Sequence, residues 1–251
     1  MNGQREELAG KLALVTGAAG PTGFAIAEAL VEDGLRVLLA DIDAARLETL
    51  CGDLGENAIA LPLDVSDAEA VARICAGVRA AHGNVAVLIN NAGILSNHKA
   101  AETTPQEWRR LMAVNLDGAF YLAREWLPEM KQAGWGRIVN MCSLAMKTGG
   151  LTAGTAYTAS KGGMAALTLS LARESAGDGV TVNAIAPAYI RTPMVTEQPT
   201  EAQRQELLHQ IPVGRFCEPE EIAFLVRYLV SPLAGFVTGE IVDINGGLHL
   251  D

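Results

Sequence analysis

The sequence lacks paired cysteines, an excess of positive charge and long apolar segments, and each absence excludes a class of protein. Its four cysteines are widely spaced, which argues against a zinc site or a disulfide framework. The formal net charge is -10, so the chain is a poor candidate for binding nucleic acid or an anionic membrane. No apolar run approaches the roughly 20 residues of a membrane-spanning helix, and the polar N-terminus carries no signal core. We therefore expect a cytoplasmic protein with a small-molecule substrate and no metal ion.

Short apolar runs alternate with longer amphipathic segments along the whole chain. Seven runs are predicted to be buried strands, namely Leu12–Thr16, Arg36–Ala40, Ala58–Leu63, Val85–Asn90, Arg137–Cys142, Val180–Ala186 and Glu240–Ile244. The predicted helices cover residues 22–33, 43–53, 67–81, 104–132, 155–177 and 218–230. Strands that alternate with helices form βαβ units and a parallel sheet. The pattern predicts an α/β fold over residues 1–251, as one domain with a doubly wound sheet and helices on both faces.

Residues 188–217 interrupt this alternation with a longer and more polar segment that contains three prolines, Pro193, Pro199 and Pro212. The segment follows a strand end, and ligands bind beyond the carboxyl ends of strands in an open α/β sheet. We interpret it as a lid over a substrate. A surface excursion that contains one helix, at 201–211, is the alternative.

The first predicted strand leads into a glycine-rich turn, Thr16 to Gly23, and then into an alanine-rich helix. Glycines at such a turn let the backbone approach a pyrophosphate, and the helix N-terminus offers free N–H groups. Pro21 interrupts the glycines, but proline is tolerated at the first position of a helix. The turn therefore indicates a dinucleotide site, although any tight turn between a strand and a helix can use glycine.

Asp41 ends the second predicted strand, about 20 residues beyond the glycine turn. A carboxylate at this place can accept hydrogen bonds from both hydroxyls of an adenosine ribose, and it repels a 2′-phosphate. The neighbouring Ile42 supplies no positive charge to relieve that repulsion. This favours NAD over NADP, with capping of the next helix as the alternative role of Asp41, for which Asp43 is equally well placed.

Tyr157 and Lys161 lie four residues apart in a strongly helical segment, so they share one face of the helix. A nearby ammonium favours the phenolate, which brings the pKa of Tyr157 towards the range useful for proton transfer. Ser143 ends the fifth predicted strand, where its hydroxyl can hold a substrate oxygen. Asn115 lies in an apolar helix, where a buried amide needs partners. A hydrogen bond within the core is the alternative role for Asn115.

Taken together, the motifs resemble the short-chain dehydrogenase/reductase family: TGxxxGxG at residues 16–23, NNAG at 90–93 and YxxxK at 157–161. Pro21 stands at the place of the middle glycine and Ala188 at the place of a glycine that usually follows Pro187. The resemblance covers essentially the whole chain and implies a single Rossmann-type domain. It implies a set of cofactor-binding residues: Gly17, Gly20, Thr22, Gly23, Asp41, Ile42, Asp64, Val65, Asn91, Ala92, Gly93, Tyr157, Lys161, Pro187, Ile190 and Thr192.

The resemblance also implies roles for the four catalytic candidates. Tyr157 exchanges a proton with the substrate oxygen, and Ser143 orients and polarises that oxygen. Lys161 lowers the pKa of Tyr157 and binds the nicotinamide ribose, and Asn115 holds a water for a proton relay. The asparagine of NNAG supports the sheet beside the cofactor. A homotetramer is expected from the resemblance.

The substrate is predicted to contact Ile94–His98, Leu144–Gly150, Tyr189 and the segment 193–217, with His98 and Lys147 as the only cationic candidates. We expect an NAD-dependent enzyme that acts on the CH–OH group of a small or medium secondary alcohol, or on its ketone. The first alternative is an NADPH-dependent 3-oxoacyl-(acyl-carrier-protein) reductase, and the second is a non-catalytic dinucleotide sensor. Asp41 argues against the first, and the presence of Tyr157 and Lys161 argues against the second.

Overall fold

The computed structural model describes residues 7–193 and 200–250, apart from the side chain of Gln203. Its strands are β1 Leu12–Thr16, β2 Arg36–Asp41, β3 Ala58–Pro62, β4 Val85–Asn90, β5 Gly136–Met141, β6 Val180–Pro187 and β7 Ile241–Ile244. They form one parallel sheet in the order β3-β2-β1-β4-β5-β6-β7. All seven predicted strands are confirmed, and each bound lies within one residue of its prediction.

The longer helices also match their predictions closely: α1 Pro21–Glu32, α2 Ala44–Leu54, α3 Ala68–His82, α7 Thr155–Ser175, α8 Glu201–Gln210 and α9 Pro219–Val230. The helix predicted at 104–132 is divided into α4 Pro105–Met112, a π turn Ala113–Asp117 and α5 Gly118–Ala133. A short helix, α6 Ala145–Thr148, was not predicted. Four residues contain too little periodicity to signal a helix.

Local capping explains where several helices begin. The carboxylate of Asp43 accepts a hydrogen bond from the backbone N–H of Arg46 at the start of α2. Asp67 caps α3, and the hydroxyl of Thr104 accepts from the N–H of Glu107 in α4. Each such cap satisfies N–H groups that have no partner within the helix.

Apolar side chains fill both faces of the sheet. One cluster packs α1 and α9 against it, with Ile26, Leu30 and Val226 fully buried. The other packs α3 and α5 against the opposite face, where Trp126 is the largest fully buried side chain. β2 and β3 lie on one side of β1, and the chain crosses to β4 on its other side. This crossover places a crevice beyond the carboxyl ends of β1 and β4, where ligands bind in open α/β sheets.

The described residues contain no helix that is long and apolar enough to cross a membrane. They also contain no group of three or more histidine, cysteine or acidic side chains arranged to hold a metal ion.

Candidate active site

The glycine turn between β1 and α1 is closely packed against its own backbone. A Cβ atom on Gly23 would lie 2.2 Å from the carbonyl oxygen of Gly17, and one on Gly17 would lie 2.9 Å from Cα of Ala92. Gly17 has a φ of 65°, which favours glycine. Pro21 is in the first turn of α1, as predicted, and Gly20 precedes it as the N-cap residue without a side-chain cap. The turn therefore leaves helix N–H groups available to a pyrophosphate, and its residues fit a dinucleotide.

Asp41 lies at the end of β2, beside this turn. Its carboxylate accepts hydrogen bonds from the backbone N–H of Ala19 at 3.1 Å and of Asp43 at 3.2 Å. The guanidinium of Arg46 donates to the carbonyl oxygen of Ala19 at 2.7 Å. Arg46, which α2 brings back to the turn, was not predicted to lie near Asp41. A carboxylate and a cation thus lie beside the same glycine turn.

The other residues expected around the adenosine and the sheet have contacts of their own. The side-chain amide of Asn91 donates to the carbonyl oxygens of Thr16 at 2.9 Å and Gly17 at 3.2 Å, which ties the end of β4 to the glycine turn. Asp64 accepts from both the N–H and the hydroxyl of Ser66, at 2.9 and 2.6 Å. These two hydrogen bonds give Asp64 a structural role in the turn that follows β3, and its predicted contact with the cofactor stays a prediction.

Three further predicted cofactor contacts, Pro187, Ile190 and Thr192, lie at the end of β6 and just beyond it. The carbonyl oxygen of Pro187 accepts a backbone hydrogen bond from Leu144 at 2.9 Å, which joins this segment to the end of β5. Ile190 forms an isolated β-bridge with Cys217, and Thr192 lies two residues further on. Residues 194–199 of the predicted lid lie outside the described residues.

Tyr157 and Ser143 meet at the bottom of a cavity of about 880 Å³. Ser143 follows β5, Tyr157 lies in the first turn of α7, and both side chains line this cavity. Burial raises the pKa of Tyr157 above its ordinary value, and the nearby hydroxyl of Ser143 opposes that shift. The arrangement can hold one oxygen atom between two hydroxyl groups.

Lys161 lies one helical turn beyond Tyr157 and is almost fully buried. Its ammonium donates to the carbonyl oxygen of Met141 at 2.7 Å and lies 5.8 Å from the centroid of the Tyr157 ring. Burial lowers the pKa of Lys161 to about 8. Burial is the largest influence on the pKa of both side chains, and the expectation that Lys161 lowers the pKa of Tyr157 stays a prediction.

Asn115 lies within the π turn and is completely buried. Its amide accepts from the N–H of Ile94 at 2.8 Å and donates to the carbonyl of Ile94 at 2.9 Å and to the hydroxyl of Ser160 at 3.0 Å. Ser160 in turn donates to the carbonyl of Tyr157 at 2.7 Å. The side chain of Asn115 thus joins the loop after β4 to α7, and the water that the resemblance assigns to this residue stays a prediction.

The cavity around Tyr157 is bounded by segments that are distant in the sequence. They are the loop after β4, the segment from Ser143 to Ala153, the start of α7, the residues just after β6, α8 and a residue near the C-terminus. Its described lining is made up of Leu95, Asn97, Ser143, Leu144, Ala145, Thr148, Leu151, Thr152, Ala153, Tyr157, Ala188, Tyr189, Ala202, Glu206, Leu207, Gln210 and Leu248. α8 lies within the predicted range 193–217 and lines this cavity, whereas contact with a substrate and motion of a lid stay predictions.

Both cationic candidates for the substrate pocket are paired elsewhere. Lys147 lies 2.6 Å from a carboxylate oxygen of Asp243 in β7. Nδ1 of His98 lies 3.0 Å from both carboxylate oxygens of Glu107 in α4, and this contact raises the pKa of His98. Neither side chain lines the described part of the cavity. The possibility that Lys147 holds a substrate anion is therefore not supported.

Comparison with known proteins places this geometry in a family. The protein-family model described as Enoyl-(Acyl carrier protein) reductase matches residues 17–249 of this chain. The chain is 38% identical over 244 residues to the 3-oxoacyl-[acyl-carrier-protein] reductase FabG of Vibrio cholerae, covering 97% of this chain and 99% of the relative. It is 40% identical over 246 residues to galactitol 2-dehydrogenase (L-tagatose-forming) of Cereibacter sphaeroides, covering 96% and 95%. The chain belongs to the short-chain dehydrogenase/reductase family.

Solved structures of the family agree with this assignment. A glucose/ribitol dehydrogenase of the short-chain dehydrogenase/reductase family from Brucella melitensis superposes with a TM-score of 0.90 at 33% identity, covering 98% of this chain and 99% of that one. A 3-oxoacyl-[acyl-carrier protein] reductase from Brucella melitensis gives 0.91 at 35% identity, covering 99% and 94%. The predicted resemblance and the predicted fold are therefore confirmed. The chain is an oxidoreductase of this family.

Sequence reasoning missed three residues near the site. Ser160 has no motif of its own, although its place between Tyr157 and Lys161 signals a location close to the chemistry. Arg46 approaches the glycine turn only because of the path of α2. Glu206 belongs to a polar helix in a segment that carries no family motif, so only the fold brings it to the cavity.

Proposed function

We propose that this protein interconverts a secondary alcohol and its ketone by hydride transfer with a bound nicotinamide dinucleotide. The observation that carries the proposal is the meeting of the Tyr157 and Ser143 hydroxyls at the bottom of a cavity of about 880 Å³. That volume is typical of a small-molecule site. The nicotinamide group, when bound, gives or takes the hydride, and the protein residues act on the substrate oxygen and its proton.

In the direction of reduction, Ser143 donates a hydrogen bond to the ketone oxygen and Tyr157 gives that oxygen a proton. The charge that develops on the oxygen is stabilised by both hydroxyls, which are positioned before the reaction begins. In oxidation, Tyr157 takes the proton back from the alcohol. A raised pKa suits the acid role, because the phenol then stays protonated at neutral pH.

Lys161 has donors beyond the one that it gives to Met141, because an ammonium carries three N–H groups. These can bind the hydroxyls of the nicotinamide ribose and place a positive charge near the Tyr157 phenolate as it forms. Asn115 acts through Ile94 and Ser160 to fix the start of α7. The proton relay that the resemblance implies also needs a water. A backbone carbonyl of the π turn can hold this water, because a π turn departs from the regular hydrogen-bond ladder of a helix.

We propose NAD(H) as the cofactor, on the basis of Asp41. Its carboxylate is held by two backbone N–H groups, so its place next to an adenosine ribose is fixed. There it can accept from both ribose hydroxyls and repel a 2′-phosphate. Arg46 is the feature that opposes this choice, since a guanidinium is a good partner for a phosphate. The guanidinium of Arg46 is already engaged by the carbonyl oxygen of Ala19, and the Asp41 carboxylate is held at the same turn. Both features favour NAD(H).

The variant Asp41→Asn tests the cofactor proposal, with Asp43→Asn as the matched control. Both changes remove one negative charge, and asparagine preserves the cap at position 43. We expect the wild type to prefer NADH, and Asp41→Asn to improve kcat/KM for NADPH relative to NADH by about tenfold or more. A wild-type preference for NADPH, or equal effects of the two variants, would overturn the assignment.

For the substrate, the relatives favour a 3-oxoacyl thioester over the small alcohol that the sequence alone suggests. Several of them carry the name 3-oxoacyl-[acyl-carrier-protein] reductase, from Vibrio cholerae to Pseudomonas aeruginosa. The mostly apolar cavity can hold an acyl chain. We therefore place a 3-oxoacyl thioester first. A polyol or other small secondary alcohol is second, supported by the 40% identity to galactitol 2-dehydrogenase.

A substrate panel separates these two candidates. Acetoacetyl thioesters are assayed for NADH and NADPH oxidation, and alcohols, polyols and hydroxy acids for NADH formation. A kcat/KM for acetoacetyl thioester at least tenfold above that for every polyol supports the first candidate, and the reverse ranking supports the second. The homotetramer expected from the resemblance stays a prediction that light scattering can check.

A further inference from the structure

We infer that the wall of the cavity formed by α8 selects a substrate whose far end is neutral or cationic and donates hydrogen bonds, and excludes a far end that is a carboxylate. This rests on the proposed function, because it assigns a specificity to the same cavity. Glu206 is the single charged side chain among the described residues that line the cavity. Glu206 is exposed on α8, so its carboxylate reaches both the cavity and solvent.

The other polar side chains in the described lining of the cavity are uncharged and can accept hydrogen bonds. Gln210 donates to Glu206 at 3.2 Å, which holds the carboxylate along the helix. Across the cavity, the hydroxyls of Thr152 and Tyr189 lie 3.3 Å apart, and Asn97 supplies an amide. A hydroxyl, amide or ammonium group can donate to this set, whereas a carboxylate would face Glu206 directly.

The cations that could offset such repulsion are paired with other carboxylates. Lys147 contacts Asp243, and His98 contacts Glu107. Arg204, on the same helix as Glu206, contacts Glu201. An anionic group at this wall would therefore gain no direct ion pair from these three residues. It would be repelled by the carboxylate of Glu206. We expect the wild type to discriminate by about tenfold, in line with one partly solvated charge pair.

Two pairs of probes of equal length test this selectivity for both candidate substrates. The thioester pair is the S-(3-hydroxypropyl) and the S-(2-carboxyethyl) thioester of acetoacetate. The ketone pair is 6-hydroxyhexan-2-one and 5-oxohexanoate. For each pair kcat/KM gives the ratio of hydroxyl to carboxylate probe. Binding gives a second measure of the same preference. Calorimetry on the NADH complex of Tyr157→Phe gives the Kd of the carboxylate probe divided by the Kd of the hydroxyl probe, and this does not need turnover.

Three further proteins are compared with the wild type: Glu206→Gln, Glu206→Lys and the control Glu220→Gln. Glu220 is exposed on α9 and outside the cavity lining, so this control changes the net charge by the same amount as Glu206→Gln. We expect the hydroxyl-to-carboxylate ratio to fall about fivefold in Glu206→Gln and to invert in Glu206→Lys. The ratio in Glu220→Gln should equal that of the wild type.

An unchanged ratio in Glu206→Lys, by kcat/KM or by Kd, would overturn the inference. So would a wild type that binds the carboxylate probe of either pair as well as its hydroxyl partner. Neither result affects the proposed oxidoreduction, because that proposal depends on loss of turnover in Tyr157→Phe. Full turnover in Tyr157→Phe with a ratio that still inverts would reject the proposed chemistry and leave the selectivity of the wall intact.

Discussion

The catalytic floor of the cavity and its outer wall are built in different ways. The floor comprises Asn115, Ser143, Tyr157, Ser160 and Lys161, in which buried polar groups are joined by hydrogen bonds of 2.7–3.0 Å. The outer wall is made up of Glu206 and Gln210 of α8 together with Thr152 and Tyr189. These side chains are at least partly exposed and form contacts of 3.2–3.3 Å. Buried networks hold one geometry, while exposed pairs contribute little and can change at low cost. The floor thus fixes the reaction, and the wall is free to define the substrate.

The largest effect that would separate floor from wall is expected for Tyr157→Phe. Phenylalanine keeps the ring and removes the hydroxyl that exchanges the proton, so kcat should fall by about 10²–10⁴-fold. NADH should still bind, with an affinity that fluorescence titration finds much less affected than kcat, because Lys161 and the glycine turn remain. Tyr189→Phe, the same change on the wall, is the matched control and should keep kcat within about threefold. Full activity of Tyr157→Phe would remove the proposed acid and base.

Lys161 provides a second distinction, because a buried cation on the floor reduces stability. Burial lowers its pKa from 10.5 to about 8, so at pH 7 the folded protein carries a proton that it holds less tightly than the unfolded chain does. That shift corresponds to about 3 kcal/mol against folding, and the hydrogen bond to Met141 offsets about 1 kcal/mol. We therefore expect Lys161→Met to be more stable than the wild type by about 2 kcal/mol at pH 7, measured by urea unfolding.

The sign of this difference changes with pH. Between about 8 and 10.5 the unfolded wild-type chain keeps the lysine proton that the folded protein has released, so wild-type stability rises relative to the variant. The extra stability of Lys161→Met over the wild type should vanish across this pH window. Above it, the variant should be slightly less stable than the wild type. Lys131→Met, at a partly exposed lysine on α5, is the control. A stability difference in Lys161→Met that is as flat with pH as the control would contradict the burial argument.

The same contrast explains what the sequence could and could not predict. Tyr157, Lys161, Ser143 and Asn115 were identified because their chemistry requires particular residue types at strand ends or at fixed helical spacing. The strands were placed within one residue because buried apolar runs end at polar turns. The π turn around Asn115 was not foreseen, since one extra residue in a helical turn leaves no pattern in residue type.

The wall was predicted only as a range of residues, and for a physical reason. Lys147 was a candidate for an anion site until the fold placed it against Asp243, 96 positions away in the sequence. Glu206 and Arg46 are brought to their sites by the paths of α8 and α2, not by local sequence. Contacts of this kind depend on the tertiary arrangement of surface helices, which periodicity does not encode.

The smallest effect is expected for Thr152→Val, which removes a hydroxyl from the wall and keeps the shape of the side chain. Its one described partner is the Tyr189 hydroxyl at 3.3 Å, and both side chains remain open to solvent, so water can replace the lost contact. We expect kcat/KM to change by less than about threefold and the free energy of unfolding by less than about 0.5 kcal/mol. Ser143→Ala deletes a hydroxyl from the floor and should lower kcat about 10²-fold, since it removes a donor to the reacting oxygen. Equal losses in the two variants would mean that wall and floor contribute alike to the reaction, because each variant removes one hydroxyl from the same cavity.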